Sequence, residues 1–267
     1  MRLVSSAAVH GITLHYERTG AGRRLLLLNG SGATLATSEL LLAPFAARFD
    51  LLAHDQRGLG GTSIPPGPYS MADYAGDAAA LLDHVGWASC AVVGLSFGGM
   101  VAQELAVTHP ERVERLALLC TSPGGAGGAS YPLHELDDLA PASRAEIGGQ
   151  ILDTRFTPEW LDTHPRDRAL AEMMSSRQGA PSDPEQLRGE TEQLEARRHH
   201  DVWDRLPGIS CPTMVAAGRY DGTAPLANSE AIAARVPGAR LRVYEGGHAF
   251  LAQDRNAMPE VLDFLDA

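Results

Sequence analysis

The sequence predicts an α/β fold: a mostly parallel central sheet with an antiparallel N-terminal edge, flanked by helices and carrying a helical insertion. Short apolar runs alternate with amphipathic stretches between Leu25 and Leu119, the order expected of parallel strands covered by helices. Two alternating segments, 2 to 9 and 12 to 18, flank His10-Gly11 and suit an antiparallel pair. From about Pro123 to Arg205 the text becomes Gly-rich, then Pro-broken and charged, with no convincing strand, before the β-α order resumes at Thr213.

After the N-terminal pair, strands are expected at Leu25 to Leu28, Leu51 to Ala53, Ala91 to Gly94 and Leu116 to Leu119, with helices over 37 to 48, 71 to 85 and 97 to 108. The second helix has the clearest limits. Ser70 is a suitable N-cap, Met71, Tyr74, Ala78, Leu81, Leu82 and Val85 recur at helical spacing, and Gly86 ends the run. Later elements are a strand at Thr213 to Ala217, a helix around Leu226 to Val236, a strand at Leu241 to Val243 and a last helix from about Met258 to Leu265. The expected division is therefore a core of residues 1–122 and 206–267 and a helical cap of residues 123–205.

A chain of 267 residues is long enough for one sizeable core. With 44% hydrophobic and 21% charged residues it has an ordinary globular composition. The net charge of -11 argues against nucleic acid or an anionic membrane as partner, since both require a basic surface. No apolar run reaches the length of a membrane span, and the start Met1-Arg2-Leu3-Val4-Ser5-Ser6 has no apolar leader core, so the expected location is cytoplasmic. The expected partner is a small molecule, and the expected state a monomer or homodimer. Cys90, Cys120 and Cys211 lack paired spacing and read as core or near-core thiols.

The chemical signal begins at Gly94-Leu95-Ser96-Phe97-Gly98, which follows an apolar strand and opens a helix. Such a turn crowds its backbone, so small residues are needed around the serine, whose hydroxyl is left exposed at the strand end. The following helix aims its N-terminal N–H groups at a developing oxyanion. A serine hydroxyl needs a base, and histidine titrates in the right range. His248, in Gly246-Gly247-His248-Ala249-Phe250, follows the last strand and is the candidate; His54, beside Asp55, is the one rival at a strand end and reads as a local hydrogen-bonding residue. Asp221, in Gly218-Arg219-Tyr220-Asp221-Gly222, follows the strand before and would orient the imidazole. The chain order Ser, Asp, His is that of α/β-hydrolases.

Nearly the whole chain resembles that family: Leu27-Leu28-Asn29-Gly30-Ser31-Gly32 after an early strand, Asp55-Gln56-Arg57-Gly58-Leu59-Gly60-Gly61-Thr62-Ser63 after the next, the serine turn, Gly218 to Asp221, and Gly247-His248. Within the family it is most similar to the branch of 3-oxoadipate enol-lactonases and small esterases. The resemblance implies an oxyanion hole formed by the backbone N–H groups of Ser31 and Phe97. It also exposes a departure, Asn29 standing where most relatives carry a histidine, which questions how the loop is supported. The Ser31 hydroxyl can be read as contacting substrate or as a merely solvated or turn-capping group. Asp55 and Arg57 match the family pattern as a structural turn with a charge pair.

Gly30, Trp160, Trp203 and Phe250 are candidate substrate-binding residues, although plain cap packing would equally explain the two tryptophans. No metal or cofactor is expected. His199-His200-Asp201 with Asp204 imitates a metal cluster, but adjacent helical residues point about 100° apart, so a largely exposed or gate-like helix end is expected. The Gly124 to Gly128 run lacks a phosphate-loop lysine and reads as a hinge. The expected activity is hydrolysis of a small ester or lactone. Carbon-carbon bond hydrolysis or perhydrolysis with the same triad, or a ligand receptor on a hydrolase pocket, remain as alternatives; Ser96 argues against the aspartate-nucleophile relatives.

Overall fold

Leu25–Leu28, Leu51–Ala53, Cys90–Val93 and Leu116–Leu119 are continuous apolar runs, and in the computed structural model, which describes residues 2–177 and 183–267, all are strand residues buried on both faces. This is what a parallel sheet covered by helices requires. The strands are β1 (Arg2–Val9), β2 (Ile12–Gly20), β3 (Arg24–Leu28), β4 (Asp50–His54), β5 (Cys90–Leu95), β6 (Val113–Leu119), β7 (Thr213–Gly218) and β8 (Arg240–Tyr244). They form one sheet in the order β1-β2-β4-β3-β5-β6-β7-β8. Only β2 runs against the rest, pairing antiparallel with both β1 and β4. The β1-β2 turn is His10-Gly11, at φ 46° and 78°, the positive values that a tight two-residue hairpin needs.

Alternate residues of each strand serve two cores. Leu26, Leu28, Val92, Leu116, Leu118 and Val215 face α2 (Met71–His84), α3 (Phe97–Thr108) and α8 (Leu226–Arg235). Leu25, Leu27, Ala91, Val93, Ala117 and Ala216 face α1 (Glu39–Ala46) and α10 (Ala257–Asp266). Ser70 caps α2 as expected, accepting from the Asp73 N–H while Asp73 accepts from the Ser70 N–H. The first helix is shorter than expected.

Between β6 and β7 stand α4 (Pro141–Leu152), α5 (Pro158–Thr163), α6 (Pro165–Arg177) and α7 (Pro184–Arg198), and a short α9 (Phe250–Gln253) follows β8. Prolines of the Pro-broken stretch begin these four helices, at the first position, where a missing N–H costs nothing. The two ends of the segment are tied by a bridge between Gly124 and Asp201 and by the Val202 N–H donating to the Pro123 carbonyl at 3.0 Å. Residues 178–182 of the expected cap lie outside the described residues. No described helix is long and apolar enough to cross a membrane.

Two local expectations are corrected. Asp55 and Arg57 do not pair with each other: Arg57 grips Asp77 through two bonds of 2.8 and 2.9 Å, while Asp55 accepts from the N–H groups of Leu35 and Gly61 and contacts His15 Nδ1. His199 and His200 diverge, but only His199 is exposed; His200 is 6% exposed at the end of α7, where the chain turns back towards Gly124. Burial pushes the His200 imidazole down from 6.5 to about 4. Between those values the unfolded chain binds the proton and the folded chain does not. Stability is therefore fully present above pH 6.5 and lost as pH falls towards 4, by about 3 kcal/mol at the limit. Urea melts between pH 7 and 4.5 are expected to show this loss, and a shallower one for His200→Leu.

Candidate active site

The carboxyl ends of β3, β5, β7 and β8 lie on one edge of the sheet, so the loops that follow them converge. Ser96 sits between β5 and α3 at φ 52° and ψ -114°, a conformation L-residues rarely adopt. It is held from both sides: its N–H donates to the Leu119 carbonyl at 2.8 Å, and its own carbonyl accepts from Thr121 Oγ1 at 2.7 Å. The flanking glycines are required by contact. A Cβ on Gly94 would lie 2.3 Å from the Gly98 carbonyl oxygen, and one on Gly98 would lie 2.0 Å from that of Leu28.

The structure brings the three expected side chains together. Ser96 Oγ lies 3.0 Å from His248 Nε2, and His248 Nδ1 lies 2.8 Å from Asp221 Oδ2. The other carboxylate oxygen, Oδ1, accepts from the N–H groups of Thr223 and Ala224, each at 2.8 Å. With the acidic side chain fully buried and the imidazole 17% exposed, the arrangement favours the tautomer in which Nδ1 donates to Asp221 and Nε2 accepts from Ser96. The rival His54 is 2% exposed and its Nδ1 has no partner among the described residues, and burial lowers its pKa, which favours a neutral imidazole in the core.

Residues 151–154, the end of α4 and the turn after it, run between the Asp221 and His248 loops. The Ile151 carbonyl accepts from the Gly222 N–H and from Thr223 Oγ1, the Thr154 N–H donates to the Tyr220 carbonyl, and the His248 N–H donates to the Leu152 carbonyl at 2.6 Å. The buried Asp153 is gripped by Arg155 through two bonds of 2.9 and 2.6 Å. Gln253 links it to the histidine loop, donating to Asp153 Oδ2 and accepting from the Gly247 N–H, both at 2.8 Å. Gln253→Ala is expected to lower kcat about 10-fold by loosening the imidazole, with a smaller change in KM; steady-state kinetics beside a melting curve would separate this from general unfolding.

The loop after β3 lies against the serine, since a Cβ on Gly30 would sit 3.6 Å from that of Ser96. Its support comes from two glutamines. Gln56 Nε2 donates to the Asn29 carbonyl at 2.6 Å, and Gln193 Oε1, from α7, accepts from the Gly32 N–H at 2.8 Å. The Asn29 side chain itself has no partner among the described residues, and neither does Ser31 Oγ, which caps no turn. Phe97 is the first residue of α3, where a helical N–H has no partner within its own helix.

Three of the candidate binding residues make contacts within the protein. Phe250 is fully buried and stacks on Tyr244 at 5.3 Å, because α9 begins there and turns the ring into the core. Trp203 packs against Gly127 and under Arg235 at the foot of the insertion. Trp160 stacks on His164 at 3.7 Å, donates to Asp167 and faces Arg155, so it belongs to a ladder that braces α5 and α6. All three free thiols are buried or partly buried, as expected. Among the described residues one group of metal-type side chains comes together, Cys120, Asp221 and His248, within 4.8 Å. Its aspartate and histidine already bond to each other, and burial pushes the Cys120 thiol well above its ordinary range, which keeps it protonated rather than a thiolate ligand.

A family model described as the alpha/beta hydrolase fold matches residues 23–254, and the chain belongs to that family. Among its relatives is the poly(3-hydroxyalkanoate) depolymerase of Ectopseudomonas oleovorans, 32% identical over 90% of this chain and 83% of that one. The 3-oxoadipate enol-lactonase 2 of Acinetobacter baylyi is 28% identical over 89% of this chain and 86% of its own. The crystal structure of the enol-lactonase from Burkholderia xenovorans superposes with a TM-score of 0.81 at 25% identity, covering 98% of this chain and 100% of that one.

Proposed function

We propose that the protein is a serine hydrolase of small esters or lactones, acting through an acyl-enzyme on Ser96. The observation that carries this reading is the continuous chain of hydrogen bonds from Ser96 through His248 to Asp221. In the proposed mechanism His248 Nε2 takes the Ser96 proton as Oγ attacks the carbonyl, and Asp221 stabilises the imidazolium. The N–H groups of Ser31 and Phe97 hold the oxyanion. The imidazolium then protonates the departing alkoxide, and in the second half His248 activates the water that releases the acid. The enol-lactonase and depolymerase likenesses support an ester or lactone carbonyl as the target. Residues 123–205 serve as the cap in this reading.

A fluorophosphonate probe tests it directly. Peptide mapping is expected to place the adduct on Ser96, with hydrolysis of p-nitrophenyl butyrate lost in proportion to labelling. An unlabelled Ser96 in protein that still hydrolyses the ester would place the chemistry elsewhere.

A further inference from the structure

Arg197, on α7, is 7% exposed, and its only partner among the described residues is the Tyr131 carbonyl, reached by Nη1 at 2.7 Å. Nε and Nη2 are buried and unpartnered. These two atoms form one edge of the guanidinium, and this chain shows what that edge does when it has a partner. In Arg18 with Asp50, Arg57 with Asp77 and Arg155 with Asp153, Nε and Nη2 each hold one oxygen of a carboxylate. A buried guanidinium with this edge unmatched is costly, and burial accordingly pushes Arg197 down to about 10, with no acidic neighbour among the described residues to offset it.

The position of Arg197 relates it to the reaction. One turn earlier on α7, Gln193 holds the Gly32 N–H of the loop beside Ser96, and its own Nε2 is buried without a partner. On the other side, Tyr131, which holds Arg197, donates its N–H to the Thr223 carbonyl, and Thr223 in turn holds Asp221. Arg197 is thus braced between the loop of the proposed oxyanion donors and the loop of the triad acid. Its unpartnered atoms, with Gln193 Nε2, are all donors, which suits an acceptor that brings two oxygens and a negative charge.

We infer that Arg197 receives a carboxylate carried by the substrate away from the scissile carbonyl, so that the preferred substrates are anionic esters or lactones. The inference rests on the serine-hydrolase reading and names its substrate class. Arg197 acts as a specificity-determining residue.

The test compares matched pairs that differ only in charge. On the acyl side these are mono-p-nitrophenyl glutarate and p-nitrophenyl valerate; on the alcohol side, 4-acetoxybutyrate and butyl acetate. The unaltered protein is expected to prefer the charged member of at least one pair in kcat/KM, mainly through KM. Arg197→Gln is expected to reduce that preference about 30-fold or more, the scale of losing one partner of a buried charged contact, with Arg197→Lys falling between. Equal turnover of both members of both pairs by the unaltered protein would overturn the inference while leaving the hydrolase reading intact. A preference that survives in Arg197→Gln would also overturn it, by assigning the carboxylate to another group. Absence of turnover of all four esters, together with an unlabelled Ser96, would instead remove the hydrolase reading on which it rests.

Discussion

Replacing Ser96 with alanine is expected to lower kcat/KM for a small activated ester about 10⁴-fold or more while leaving the fold in place. The substitution removes only Oγ, the atom 3.0 Å from His248 Nε2. The positive φ at this position is maintained by the residue's own N–H donating to the Leu119 carbonyl and its own carbonyl accepting from Thr121 Oγ1, both of which alanine retains, and alanine has the same Cβ as serine. The melting temperature should therefore move by a few degrees at most. Kinetics with p-nitrophenyl butyrate, beside a thermal melt of the same preparation, provide the check. A variant with unchanged melting and more than a tenth of the original turnover would be incompatible with the serine as nucleophile.

Asp221→Asn is expected to cost about 10⁴-fold in kcat, for a reason visible in the local hydrogen bonds. The N–H groups of Thr223 and Ala224 both point at Oδ1. In the variant only the amide oxygen can face these two donors, so the NH₂ group is turned towards His248. That group needs an acceptor at Nδ1, which drives the imidazole proton to Nε2, the atom that has to accept from Ser96. The geometry would survive with the proton on the wrong nitrogen. Reaction with the fluorophosphonate should slow in parallel with turnover; a variant that labels at the original rate would show that the carboxylate has no part in activating the serine.

The strand runs, the α2 capping box and the three side chains of the triad were legible because each depends on short-range pattern: periodicity, a cap four residues long, or a residue just past a strand end. The failures share a different cause. Gln193 and Arg197 lie in a charged helix whose text reads as solvated, and only the chain's return over the β3 loop buries them. Arg57 finds Asp77 rather than Asp55 because the partner arrives on α2, a separate element. Phe250 lies two positions from His248, yet one turn of α9 is enough to direct it into the core. Sequence proximity thus located the reacting groups, whereas their supports come from distant segments and have no local signature.

The wedge of residues 151–154 has a consequence for how anything enters. Its bonds to Gly222, Thr154's bond to Tyr220 and the Leu152 bond to His248 mean that this stretch cannot lift away with the catalytic apparatus still assembled. Any breathing that admits a reactant is expected to leave it as a fixed abutment and to fall on α5 and α6, because α7 is itself tied to the β3 loop through Gln193. Amide exchange should register the division as slow exchange at His248 and Gly222, beside faster exchange in α5 and α6.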